Sequence, residues 1–225
     1  MTTVVLCGSL GSSSAMWDAQ LPALSAHDLV LVDHPGHGGA PLADVWGVAD
    51  LARRVPGERF SLVGLSLGGA VGMWLALHEP ERIEKLVLVS TSARFGDPAM
   101  WEERAATVRA DGLEAIVDTV LARWFTPSFR ETPQAKKIAE LIANTPVAGY
   151  VGCGQAIMKL NTTARLKDIK LPVLAVTGEA DAAAAGTRYI GEHIPGAKFV
   201  NIAQAAHITN LEQAEKFNQA LRDFL

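Results

Sequence analysis

Phe60-Ser61-Leu62-Val63-Gly64-Leu65-Ser66-Leu67-Gly68-Gly69 joins an apolar, strand-like run to the pattern Gly-x-Ser-x-Gly, and helix-forming residues follow from Ala70 to His78. A serine on a sharp strand-to-helix turn has its hydroxyl pushed clear of the backbone, and small residues on either side let the turn close. The helix that starts there directs free N–H groups at any negative charge developing beside the serine. In a chain with 20 glycines the bare pattern also arises by chance. A tight glycine-rich turn with an idle serine is then the simpler reading, and it is the flanking strand and helix that give the motif weight.

Outward from this turn, short apolar runs alternate with helical patterns. The sequence predicts strands at Thr3–Cys7, Leu29–Val32, Phe60–Val63, Leu86–Ser90, Val173–Thr177 and Lys198–Ile202. Several are near-continuous Val and Leu, as strands buried on both faces of a parallel sheet require. Helices are predicted at Trp17–Leu24, Val45–Arg54, Ala70–His78, Thr187–His193 and Leu211–Phe224. This βαβα rhythm predicts an α/β fold with a mostly parallel, doubly wound sheet.

The rhythm breaks once. Between Ser90 and Pro172 no strand is predicted, and Pro98–Asp111, Leu113–Phe125, Pro133–Asn144 and Ala148–Lys159 read as helices. The expected organisation is a core of residues 1–91 and 169–225 with a helical cap of residues 92–168. An insertion between two core strands lies naturally over the C-terminal strand ends, where ligands bind in open α/β sheets.

Composition narrows the function. A net charge of −4 without a basic cluster argues against nucleic acid or an anionic membrane as partner. Cys7 and Cys153 are far apart and lack metal-spaced neighbours, so neither a disulfide framework nor a metal site is expected. The opening Met-Thr-Thr-Val-Val-Leu-Cys has no basic n-region, and no apolar run reaches the ~18 residues of a membrane span. A cytoplasmic protein, monomer or homodimer, is the expectation.

A serine hydroxyl needs a base to take its proton and a carboxylate to orient that base. Of the six histidines, His207 lies in Ala205-Ala206-His207-Ile208-Thr209-Asn210, past the last predicted strand and on the sheet edge that carries Ser66. His78 closes a helix, where it suits the dipole. His34 and His37, in Asp33-His34-Pro35-Gly36-His37-Gly38, fit a structural and a catalytic role equally well. Asp181 follows the Val173–Thr177 strand, with Glu179 the nearest rival carboxylate. The expected triad is Ser66, Asp181 and His207, each past its own strand. Leu67 N–H, directly after the serine, and Leu10 N–H, in the loop after the first strand, are the expected oxyanion donors.

With those residues assembled, the chain resembles the 3-oxoadipate enol-lactonases of the α/β-hydrolase superfamily. The superfamily resemblance rests on Asp33–Gly38, Gly64–Gly69, Pro80-Glu81-Arg82-Ile83 and Gly178–Asp181; the order Ser, Asp, His is also that of the superfamily. The narrower one rests on Ser9-Leu10-Gly11, Ser92-Ala93-Arg94-Phe95-Gly96, Ala122-Arg123-Trp124-Phe125-Thr126-Pro127 and Ala148-Gly149-Tyr150. The chain departs from that pattern in three places. It starts at what would be the third strand, so the usual N-terminal antiparallel pair is expected to be missing. The Gly38–Phe60 stretch is short, and Asp181 is followed by four alanines rather than a Pro-containing turn.

The resemblance implies an α/β-hydrolase fold and a serine hydrolase that opens a small carboxylated enol-lactone through an acyl-enzyme, in aromatic-compound catabolism. It implies no metal and no organic cofactor. Such a substrate wants a cation in the cap, and Arg94 and Arg123 are the candidates, though each reads equally well as a solvated surface arginine. Trp124 and Trp17 would wall the pocket or simply pack, and Tyr150 is equally open. The same triad also serves a carboxylesterase, another lactonase or a C–C bond hydrolase. A non-catalytic binding protein on this fold is the reading from a different class, and it would have no use for the acid.

Overall fold

Pairing of the apolar runs, not helix packing, sets the frame of this chain. The computed structural model describes residues 2–225. Six strands, β1 (Thr3–Cys7), β2 (Asp28–Val32), β3 (Phe60–Leu65), β4 (Ile83–Val89), β5 (Val173–Gly178) and β6 (Lys198–Ile202), form one sheet in the order β2-β1-β3-β4-β5-β6. Every pair is parallel. All six residues of β3 and of β5 are buried, whereas the edge strands β2 and β6 each bury one residue fully. The strands covered on both faces therefore occupy the centre and the half-exposed ones the edges, where β2 leaves Leu31 exposed in spite of its apolar run.

The register places the strand ends in line. Cys7 pairs with Gly64, Leu65 with Val89, Val89 lies one step past the Leu88–Ala175 pair, and Gly178 pairs with Ile202. The residues that follow, Gly8–Ser13, Ser66, Ser90–Ser92, Glu179–Asp181 and Ala203–His207, consequently emerge along one edge.

The helices are α1 (Val48–Ala52), α2 (Leu67–His78), α3 (Pro98–Asp111), α4 (Val117–Trp124), α5 (Pro133–Ala143), α6 (Val147–Met158), α7 (Ala184–His193), α8 (Thr209–Glu212) and α9 (Ala214–Arg222). Several differ from the sequence expectation, three of them for a reason seen at single residues. Trp17–Leu24 is not a helix but two single 3₁₀ turns, Ser14–Trp17 and Pro22–Leu24, because Pro22 has no N–H to continue the ladder. The α1 helix starts three residues late, since the Asp50 carboxylate accepts the Trp46 and Gly47 N–H groups at 2.8 and 3.1 Å and so fixes the first turn there. The expected Leu211–Phe224 helix is broken at Gln213, whose φ of −130° and ψ of 54° are not helical.

Helices α3 to α6 lie between β4 and β5. Their connections to the sheet are pinched together: Thr162 N–H donates to the Ala93 carbonyl at 2.9 Å, and Arg94 and Asn161 form an isolated antiparallel bridge. Proline at the first position starts α3 and α5, with Asp97 and Thr132 side chains capping the free N–H groups. On the sheet side, the α6 backbone meets the loop after β2. A Cβ at Gly149 would lie 2.8 Å from the Pro35 carbonyl oxygen, so only glycine permits this approach. The insertion thus spans the strand edge that carries Ser66. Among the described residues, no helix is long and apolar enough to cross a membrane.

Candidate active site

Ser66 has φ 54° and ψ −105°, a conformation that L-residues rarely adopt. It is held from both sides: its N–H donates to the Val89 carbonyl at 2.9 Å, and its own carbonyl accepts the Thr91 hydroxyl at 2.8 Å. Such strain costs about 1–3 kcal/mol and persists only where the surroundings enforce it. The glycines of the motif make the turn possible. A Cβ on Gly64 would lie 2.3 Å from the Gly68 carbonyl oxygen, and one on Gly68 would lie 2.0 Å from the Cys7 carbonyl oxygen.

His207 Nδ1–H donates to Asp181 Oδ1 at 3.0 Å, which leaves Nε2 as the acceptor nitrogen. The carboxylate also accepts the Ala183 N–H at 2.9 Å and the Thr177 hydroxyl at 3.2 Å. Burial pushes the Asp181 carboxyl up, but His207 and the Ala183 N–H outweigh it and hold the group below the ordinary carboxylate range. The acid is therefore an anion positioned to fix the imidazole.

Ser66, His207 and Asp181 border one cavity of about 370 Å³, within the size range of small-molecule sites. Among the described residues the Ser66 hydroxyl makes no hydrogen bond to His207; contacts of this kind often tighten only with substrate bound. Leu10 lies on the wall, and Leu67, buried directly after Ser66, starts α2. At the first position of a helix the Leu67 N–H has no partner within the ladder, so it is free for a ligand.

Arg94, Arg123 and Trp124 all border the same cavity. So does Arg104, which sequence reasoning missed because it sits in an ordinary charged stretch of α3, Trp101-Glu102-Glu103-Arg104. Its guanidinium lies 5.2 Å from the centre of the Trp101 ring. Among the described residues none of Arg94, Arg104 and Arg123 forms an ion pair. Tyr150 faces these arginines on the wall; burial pushes its phenol up in spite of Arg104 and Arg123. Trp124 lies over His207, with ring centres 6.0 Å apart and planes 24° from parallel. Trp17 is not on the cavity; it is fully buried and packs 6.4 Å from Phe217.

Burial disfavours the charged forms of both cysteines and of His34. The Cys7 and Cys153 thiols are pushed up to about 12, chiefly by desolvation. His34 is buried, and desolvation lowers it to about 3. Its Nε2–H donates to the Gly8 carbonyl at 3.0 Å, so of the two roles left open for His34 the structure assigns the structural one. His37 Nδ1–H donates to the Pro35 carbonyl at 3.0 Å. Asp33 ties the same loop to the Ser9–Ser14 segment, accepting the Ser14 N–H at 2.6 Å.

The comparisons with known proteins agree with this architecture. The family model described as alpha/beta hydrolase fold matches residues 2–214. The chain is 31% identical over 234 residues to 3-oxoadipate enol-lactonase 2 of Acinetobacter baylyi, an alignment covering 97% of this chain and 86% of that protein. It is 29% identical to a pimeloyl-acyl-carrier-protein methyl ester esterase of Neisseria meningitidis, covering 99% and 93%. The crystal structure of the enol-lactonase from Burkholderia xenovorans LB400 superposes with a TM-score of 0.95 at 33% identity, covering 99% of this chain and 90% of that one. A parallel sheet with a strained serine at its central turn, matched along nearly its whole length, places this chain in the α/β-hydrolase family.

Proposed function

We propose that this chain is a serine hydrolase that opens a small carboxylated enol-lactone, with Ser66 as nucleophile, His207 as base and Asp181 as the acid that orients it. The observation that carries the choice of substrate is the cavity wall. Among the described residues, three arginines without ion pairs line a site whose one buried carboxylate is already engaged by His207, which suits a small anionic ligand. The likeness to a 3-oxoadipate enol-lactonase of Acinetobacter baylyi, and to an enol-lactonase of Burkholderia xenovorans, supports 3-oxoadipate enol-lactone as that ligand.

His207 Nε2 takes the Ser66 proton as Oγ adds to the lactone carbonyl, and the Leu67 and Leu10 N–H groups receive the oxyanion. Collapse breaks the ring C–O bond. The imidazolium returns its proton to the departing enolate oxygen, and the resulting enol, still joined to the acyl group, becomes a ketone. Water then gives a proton to His207 and adds to the acyl carbon. Ser66 leaves with that proton, and the acid is released.

A carboxylesterase acting on an open ester is the second reading, favoured by the 29% identity to a methyl ester esterase. Spectroscopic assay with 3-oxoadipate enol-lactone generated in situ, beside p-nitrophenyl acetate, separates the two. Consumption of the lactone with the higher kcat/KM is the expected result. Cleavage of the ester with the lactone left intact would overturn the lactonase reading in favour of the esterase.

A further inference from the structure

The carboxylate of Glu212 accepts three hydrogen bonds, and they join two parts of the chain that meet at His207. Oε1 accepts the Thr126 N–H at 2.8 Å and the Thr126 hydroxyl at 2.7 Å. Oε2 accepts the N–H of Ala206, the residue before His207. On the other side of the imidazole, Ile208 N–H donates to the carbonyl of Trp124 at 3.1 Å. The backbone is thus pinned both before and after His207, and each pin ends within two residues of Trp124, the last residue of α4.

The carboxylate does so without a cation. Among the described residues Glu212 makes no ion pair, so its half-buried charge is stabilised by N–H and O–H donors alone. Glu212 ends α8, and the chain leaves helical geometry at the next residue, Gln213.

We propose that Glu212 is a positioning residue for the base: it locks the loop of His207 to the C-terminal end of α4, so that imidazole and cavity wall move as one unit. Asp181 sets the tautomer and tilt of the ring, and Glu212 sets where the ring stands relative to Ser66. The α4 end carries Arg123 and Trp124, both on the cavity, so contact of a ligand with this wall is transmitted to the base through the Thr126–Glu212–Ala206 bonds. The proposal rests on His207 being the base.

The test measures kcat and KM for p-nitrophenyl acetate, with a thermal melt, in the wild type and in Glu212→Gln, Glu212→Ala, Thr126→Val, Glu212→Gln/Thr126→Val and His207→Ala. A displaced base lowers kcat and leaves substrate binding alone. The expected losses in kcat are about tenfold for Glu212→Gln and ten- to a hundredfold for Glu212→Ala, each with KM within about threefold of the wild type. Thr126→Val should cost about threefold alone and less on the Glu212→Gln background, since the two share a contact. A Glu212→Ala kcat within twofold of the wild type, or a loss that only follows the fraction unfolded, overturns the proposal. If His207→Ala is inactive in that case, the base assignment stands and the coupling alone falls. Wild-type activity in His207→Ala would overturn both.

Discussion

Gly68 N–H donates to the Gly8 carbonyl at 3.0 Å, bonding the first turn of α2 directly to the loop that follows β1. His34 Nε2–H reaches the same oxygen at 3.0 Å, so both of its lone pairs are taken. The two proposed oxyanion donors, Leu67 and Leu10, flank this junction in sequence. One carbonyl therefore fixes the distance between the Ser66 turn and the Ser9–Leu10 loop from two directions.

The closeness of that junction predicts an intolerant position. A methyl group on Gly68 would sit 2.0 Å from the Cys7 carbonyl oxygen, and backbone cannot yield as a side chain can. Gly68→Ala should lose about 3 kcal/mol or more by urea unfolding, or fail to fold. Gly47→Ala is the control: its φ is −171°, nothing lies within 4 Å of an added Cβ, and it should cost under about 1 kcal/mol. Equal stabilities for the two variants would contradict the close approach of α2 to β1.

Burial of His34 makes a prediction about acid. Its value is about 3 in the folded chain against an ordinary 6.5, with desolvation the main cause and nearby His37 adding to it. Between those values the unfolded chain takes up a proton that the folded chain refuses. Stability is then full above pH 6.5 and falls as the pH drops toward 3. By about pH 4.5 this group alone accounts for about 2–3 kcal/mol. His34→Gln keeps an N–H donor for the Gly8 carbonyl but has no ring to protonate. It should be weaker than the wild type at neutral pH by about 1 kcal/mol, from the changed shape in a packed site, yet lose less on acidification. His37, lowered in the same direction, keeps the remaining slope above zero. Urea midpoints at about pH 7.5 and 4.5 check this, and parallel slopes in the two proteins would refute it.

Why some of this was legible in the sequence follows from how each residue acts. The six strands were, because each carries a short apolar run, up to four consecutive Val and Leu in β2 and β4, bounded by polar or turn-forming residues. Ser66 stood out because its turn demands glycine at Gly64 and Gly68 for steric reasons local to the chain. Asp181 and His207 could be placed because each follows its strand directly. Arg104 and Glu212 could not. Both lie in helical stretches of mixed charge that read as solvated surface, and only the path of the chain in space turns one to the cavity and the other to Thr126. Short elements failed for a related reason: the 3₁₀ turns after β1 and the late start of α1 depend on single side chains, Pro22 and Asp50, rather than on periodicity.

The unpaired arginines predict a split between substrates. If they receive a substrate carboxylate, Arg104→Ala, at the half-buried one of the three, should raise KM for the carboxylated lactone about tenfold or more and change p-nitrophenyl acetate little, since a charged hydrogen bond contributes ~1.5–3 kcal/mol. Arg94 and Arg123 are both exposed, where solvent screens them, and their replacement by alanine should have the smaller effects. A uniform loss on both substrates would mean that these side chains support packing instead.

The proposed triad makes a prediction about additivity that single variants do not. Ser66→Ala should reduce p-nitrophenyl acetate turnover by about ten thousandfold or more, because the buried thiols of Cys7 and Cys153 offer no substitute nucleophile. Asp181→Asn keeps the shape of the acid but presents an amide that can donate to Nδ1, which favours the wrong tautomer and should cost about a thousand- to ten thousandfold. If Asp181 acts only through His207 on the Ser66 proton, its loss has nothing left to impair once the hydroxyl is gone. The double variant should then be no slower than Ser66→Ala alone. A further fall in the double variant would show that Asp181 supports some other step, and the 3.0 Å bond to His207 would then be part of the scaffold rather than of the reaction.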